Sequence, residues 1–140
     1  MYTCKHFSIK ELVPKHVYKE RGNKAWSLLD DRALITLDQL REQFGKATVN
    51  NWAWKGTRQW SGLRTEKSPY GTAYSQHRFG RAFDVLFSEA TADEVREYVL
   101  SHEDEFQYIT GIELGVSWFH FDCGNRPTNN EGGRIYTFTP

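Results

Sequence analysis

Cysteine, one-sided charge and long apolar runs are all scarce in this chain, and each scarcity excludes something. The 18 Lys and Arg are balanced by 18 Asp and Glu, a formal net charge of zero. The basic excess that nucleic acid or an anionic membrane surface draws on is therefore missing. The two cysteines, Cys4 and Cys123, lie near opposite ends. A disulfide between them is conceivable, but without a secretion signal two reduced, buried thiols are expected. No run approaches the roughly 20 apolar residues of a membrane span. The opening Met1-Tyr2-Thr3-Cys4-Lys5-His6 has no apolar segment of the signal-peptide kind. Synthesis in the cytoplasm is expected, with any extracellular work needing another export route. Repeats, linkers and low-complexity tracts are also missing, and 140 residues suit a single domain over 1–140.

Aromatic residues are plentiful, at 15% with five Trp. Ser8 and Glu11 form a capping-box pattern for a first helical turn that Pro14 cuts short. Residues 18–22 are polar and read as loop, and residues 23–26 as the start of a short helix. Asp30 or Asp31 can cap the next helix, in which Ala33, Leu34, Leu37, Leu40 and Phe44 recur at the spacing of one buried stripe. Gly45 follows as a stop. Residues 47–54 read as a strand interrupted by Asn50 and Asn51, residues 55–57 as a turn, and residues 65–74 as a surface loop. Residues 82–87 alternate as a strand. Thr91 and Glu94 open a helix with Val95, Val99 and either Tyr98 or Leu100 inward. Strands are expected over 108–114, 117–123 and 134–139, with loop over 124–133. Helices first and strands later predict an α+β domain: a small antiparallel sheet with the N-terminal helices packed on it.

Two fragments carry the chemistry: the stretch from Ser75 to Asp84, and Trp118-Phe119-His120-Phe121-Asp122. Strand alternation puts Asp84 on the face opposite Phe83, Val85 and Phe87, and His120 on the face opposite Phe119 and Phe121. If the bulky faces look into the core, both polar groups look the other way. Neighbouring strands lie about 4.8 Å apart, so Asp84 and His120 can share one ion. His77 enters from the preceding loop, which Gly80 allows to turn back, and Ala82 leaves space. Two imidazoles and a carboxylate form the ligand set of a catalytic zinc site with one position open. The competing reading is a metal-free fold in which these groups satisfy polar partners. His6, His16 and His102 have no such context and read as surface residues.

These residues resemble the zinc D-alanyl-D-alanine carboxypeptidase and endopeptidase superfamily, whose fold is shared with the hedgehog signalling domain. The likeness is to its small phage and bacterial peptidoglycan peptidases. Ser75-x-His77-x-x-Gly80-x-Ala82-x-Asp84 fits the SxHxxGxAxD signature. The 118–122 fragment resembles the late W-hydrophobic-H-hydrophobic-D motif, Ser61-Gly62-Leu63-Arg64 the SGxR element, and His6 to Leu12 the usual opening. The resemblance implies zinc held by His77, Asp84 and His120, with Arg64 and Ser75 beside the substrate. Arg64 can grip a peptide carboxylate through a two-pronged contact, or serve in a structural ion pair.

Several members carry an acid three positions before the last zinc-binding His, where this chain has Ser117. Glu113 is the nearest upstream acid, and a hairpin about Gly115 would fold it back as the general base. Asp122 is the other candidate, or else a group that orients His120. The resemblance implies a zinc peptidase that cuts an amide bond in peptidoglycan stem peptides or cross-bridges through metal-activated water. Trp52, Trp54, Trp60, Tyr70 and Tyr74 are candidates for lining its groove, with core packing the competing role for the tryptophans. The alternative is a non-catalytic zinc-containing virion, tail or wall-binding module of the same fold. Recognition would come from the domain itself or from a virion or export partner, with neither nucleic acid nor membrane insertion involved.

Overall fold

The computed structural model of the chain describes residues 1–128 and 133–140. Ile9–Glu11 forms a 3-10 turn, and the Ser8 N–H donates to Glu11 Oε2 at 2.7 Å. Pro14 ends that turn but caps a new helix, α1, at Lys15–Arg21. The polar residues expected to be loop thus belong largely to a helix. Val17 is buried from it, and Gly22 closes it at φ 56°. A 3-10 segment, Gly22–Leu28, leads to α2 at Asp31–Phe44. Asp30 caps α2 by accepting from the Arg32 N–H, and Gly45 ends it at φ 85°. The predicted stripe is its inner face: Ala33, Leu34, Leu37 and Leu40 are buried and Phe44 is half-buried. Each of the three buried leucines contributes roughly 1.5–3 kcal/mol by leaving water.

Strand β1 covers only Ala47–Thr48. The expected strand over 47–54 stops there because buried Asn50 is drawn out of the sheet. Its Nδ2 donates to the Val13 carbonyl, and its Oδ1 accepts from the Ser61 N–H. Trp52–Trp54 is a 3-10 turn, followed by Lys55 in the left-handed region at φ 70°. The remaining strands are β2 at Ala82–Phe87, β3 at Gly111–Glu113, β4 at Phe119–Asp122 and β5 at Tyr136–Phe138. Helix α3, Ala92–Ser101, starts at the Thr91–Glu94 capping box and buries Val95 and Val99, while Tyr98 and Leu100 are both half-buried. The expected 124–133 loop lies partly outside the described residues, at 129–132.

The sheet runs β1-β2-β4-β3-β5. It is mixed and not wholly antiparallel, because β5 lies parallel to β3. The described residues form an α+β domain of three α-helices and this five-stranded sheet. None of the helices is long and apolar enough to cross a membrane. Register separates the two faces of the sheet. Phe83 pairs with Phe121 and Val85 with Phe119, and Ile112 also pairs with Phe121. All five are buried in the core under the helices. Asp84 pairs with His120, Ala82 and Gly111 both pair with Asp122, and Glu113 pairs with Phe138. The polar residues therefore share the opposite face.

Candidate metal centre

Asp84 and His120 are direct cross-strand partners on β2 and β4, so their side chains project from one face and meet. Asp84 Oδ1 lies 2.8 Å from His120 Nδ1. His77 reaches the same oxygen from the 3-10 turn Gln76–Phe79, with Nε2 at 3.4 Å. That turn starts on Ser75, whose Oγ accepts from the His77 N–H, and ends on Gly80 at φ 67°. A Cβ on Gly80 would come within 2.2 Å of the Leu28 carbonyl oxygen, so the backbone contact leaves no room for a side chain. One potential ligand atom from each of His77, Asp84 and His120 lies within 4.8 Å of the other two, and all three residues are buried.

The outer hydrogen bonds decide which atoms face inward. His77 Nδ1 lies 2.9 Å from the Gly62 carbonyl oxygen. A carbonyl only accepts, so Nδ1 carries the proton and Nε2 is turned to the cluster. His120 Nε2 lies 3.2 Å from Asp122 Oδ2, which likewise leaves Nδ1 turned to the cluster. Asp122 is held in turn by Arg126, through Nη2 to Oδ2 at 2.6 Å and Nε to Oδ1 at 3.1 Å. Asp84 Oδ2 accepts from Arg64 Nη2 at 3.2 Å, which leaves Oδ1 for the cluster. Each inward atom is an electron-pair donor whose residue is oriented by a second contact, the arrangement that holds metal ligands in place. A tetrahedral ion with bonds of about 2.1 Å sets its ligand atoms about 3.4 Å apart, the spacing seen between His77 and Asp84. The residues fit a metal ion.

The electrostatics of the cluster favour positive charge beside its carboxylates. Burial works against charge on His120, but hydrogen bonds and charges from Asp122 and Asp84 outweigh it and push the imidazole up to about 9 in the metal-free protein. Burial also opposes the Asp84 carboxylate, yet His77 and His120 hold it well below the usual carboxylate range. Asp122 is likewise brought down to about 2, with His120 and Arg126 overcoming its burial. Without a metal, a proton on His120 supplies the positive charge.

The cluster lies in a cleft of about 920 Å³. Glu113, Arg64, Ser75, Trp60, Tyr70 and Tyr74 are among its lining residues, whereas Trp52 and Trp54 are not. Continuing the β3–β4 register by one step from Ile112–Phe121 sets Glu113 across from His120. Asp84, His120, Glu113 and Phe138 thus form one row across four strands. Ser117 is elsewhere, in a separate depression beside Phe87, Thr91 and Glu94. Core packing does not describe Trp54, which is 60% exposed, and the Trp52 indole N–H donates to the Val13 carbonyl. Arg64 is already engaged with Asp84 and, through Nε, with the Trp60 carbonyl at 2.7 Å. Asp122 orients His120 from a fully buried position, which leaves Glu113 as the acid on the cleft wall.

Three members of the site are not apparent from spacing. Arg126 follows Asp122 by four residues, but in a loop rather than a helix, where that interval means nothing. Gly111 is needed because a Cβ there would come within 2.7 Å of Asp122 Oδ1. Gly62, inside the SGxR element, both accepts from His77 and passes so close to Leu12 that a Cβ would meet its carbonyl oxygen at 2.2 Å. Comparison of the chain with protein-family models, curated proteins and solved structures finds no match.

Proposed function

We propose that this protein is a zinc peptidase of the D-alanyl-D-alanine carboxypeptidase and endopeptidase type, with the related hedgehog-like fold, acting on peptidoglycan peptides. One observation carries the reading. Three buried donor atoms, each oriented by a partner outside the cluster, converge on the floor of an open cleft with a carboxylate in the same cross-strand row. His77, Asp84 and His120 would hold the metal. Bound there, zinc supplies a Lewis acid and a water acidic enough to ionise near neutral pH.

The protein's own groups do the rest. Glu113 accepts the proton of the attacking water on a carboxylate oxygen and returns it to the leaving amine nitrogen. Asp122 keeps His120 in one orientation, and the Gly62 carbonyl does the same for His77. Arg64 fixes Asp84 and lines the cleft, with its guanidinium 5.8 Å from the centre of the Tyr70 ring. Trp60, Tyr70 and Tyr74 offer apolar surface to a peptide chain. The test is release of new amines from purified cell walls by zinc-loaded protein. Loss of release in both His77→Ala and Glu113→Ala is expected. Full activity in either variant removes the role given to that residue, and stoichiometric zinc with wall binding but no cleavage would favour a non-catalytic module.

A further inference from the structure

The charged groups of the cleft pair off with one exception on the cationic side. Arg64 is bridged to Asp84, and Arg126 to Asp122. Arg58 also lines the cleft, yet no carboxylate lies within 4.0 Å of its guanidinium among the described residues. Its Nε donates to the Val49 carbonyl at 3.2 Å, and its Nη2 donates to Ser61 Oγ at 2.8 Å. Both acceptors are neutral and both belong to buried residues. The guanidinium is therefore half-buried and held at one edge, with Nη1 making no hydrogen bond among the described residues.

Its location follows from Ser61. The Ser61 carbonyl accepts the Asp84 N–H at 2.8 Å, so the residue that anchors Arg58 is also pinned to the strand carrying a proposed ligand. Arg58 stands on the wall beside the cluster, on the SGxR side, while Glu113 belongs to the β3 side. A guanidinium fixed only by neutral acceptors has no charge partner, and a carboxylate is the partner its fork matches best. The three arginines are balanced in number by Asp84, Asp122 and Glu113, so a divalent cation in the cluster would make the cleft net positive.

We propose that Arg58 is a specificity-determining residue that binds a substrate carboxylate, so that the cleft takes acidic peptides, with that carboxylate on the Arg58 side of the cluster. The assignment rests on the peptidase reading for the nature of the ligand, but binding can be measured apart from cleavage. A single charge-assisted contact predicts about a tenfold change in affinity when it is lost.

The experiment titrates zinc-loaded Glu113→Gln protein with soluble stem peptides from purified cell wall, following tryptophan fluorescence. The same peptides with their carboxylates converted to carboxamides are the second probe. The acidic peptides should bind about tenfold more tightly than the amidated ones. In Glu113→Gln with Arg58→Gln that preference should vanish, while Arg58→Lys should keep part of it. Zinc content and thermal unfolding of each variant show that the fold and the metal cluster remain intact. Equal binding of both probes by the Arg58-containing protein overturns the assignment, as does a preference that survives Arg58→Gln. A carboxylate preference that depends on Arg58, in a protein whose Glu113-containing form cuts neither peptide, supports the assignment and removes the peptidase reading instead.

Discussion

Asp84 and His120 face each other across two antiparallel strands, with Oδ1 and Nδ1 2.8 Å apart, and each is held from behind by a different arginine system. Arg64 grips the far oxygen of Asp84 directly, and Arg126 grips the aspartate that orients His120. The pair is buried and pre-positioned, with its outer atoms already satisfied, so a cation could enter between the inner donors with little rearrangement of their partners.

Zinc should therefore stabilise the native state. At a hundredfold excess over its Kd a ligand adds about 2.7 kcal/mol, roughly 10 °C in Tm for a domain of this size. Calorimetry with zinc and then with a chelator should show the rise and its reversal. His77→Ala, which removes one donor atom from the cluster, should lose both the shift and stoichiometric metal. An equal shift in that variant would place the ion elsewhere.

Gly111 is predicted to be as critical as a ligand, although it has no side chain. Gly111→Ala puts a methyl group 2.7 Å from Asp122 Oδ1 and 3.0 Å from Arg126 Nε. The carboxylate must move, and His120 loses the contact that sets its orientation. Disturbing such a partner costs about 10–100-fold in metal affinity. Competition with a chromophoric chelator measures this directly. Unchanged affinity would show that Asp122 does not position His120.

Most of this site was legible in the sequence because strand alternation is a local rule. Asp84 and His120 sit among Phe and Val, and period-two counting places both on the polar face without knowledge of the fold. Glu113 was harder, since its place depends on a register across Gly115, but a short antiparallel hairpin leaves few registers. Arg126 and Gly111 were not readable, because their roles arise from contacts between separate segments. The fold shows the same division. The stripe on α2 and the capping box of α3 are written within one turn each. Residues 49–54 leave the sheet because Asn50 bonds to Val13 and Ser61, which no local pattern contains. Helix α1 is not legible locally because a proline can stop one helix or cap the next, as Pro14 does, and the single buried Val17 makes too thin a stripe to count.

Both cysteines are free, but only Cys123 is buried while Cys4 is half-buried, and Cys123 provides a check on the core that is independent of the metal. Burial pushes Cys123 up to about 12 and raises Cys4 as well, so both stay neutral through the physiological range. A raised pKa favours the thiol, and only the thiolate reacts. Alkylation of Cys123 in the native protein should be slow at pH 8 and climb about tenfold per pH unit to pH 10. In the unfolded chain it should level off above about 9, the range of an ordinary thiol. Rates resolved by mass spectrometry separate the two cysteines. A native plateau near pH 9 would show that Cys123 is not held in the core.

The sharpest test of the chemistry contrasts Glu113 with Ser117. Glu113 stands across from His120 at the cleft, whereas Ser117 lies in a different depression beyond the turn, with Phe87 and Thr91. Glu113→Gln keeps the size and hydrogen bonding of the side chain and removes its basicity. Amine release should fall by about 10²–10⁴-fold, the range ascribed to general acid–base catalysis, with zinc content unchanged. Ser117→Glu should neither raise the activity of the parent protein nor rescue Glu113→Gln, because a carboxylate there points away from the cluster. Rescue by Ser117→Glu would mean that the loop around Gly115 turns the other way when substrate binds, and the general base would then be reassigned to the position three residues before His120.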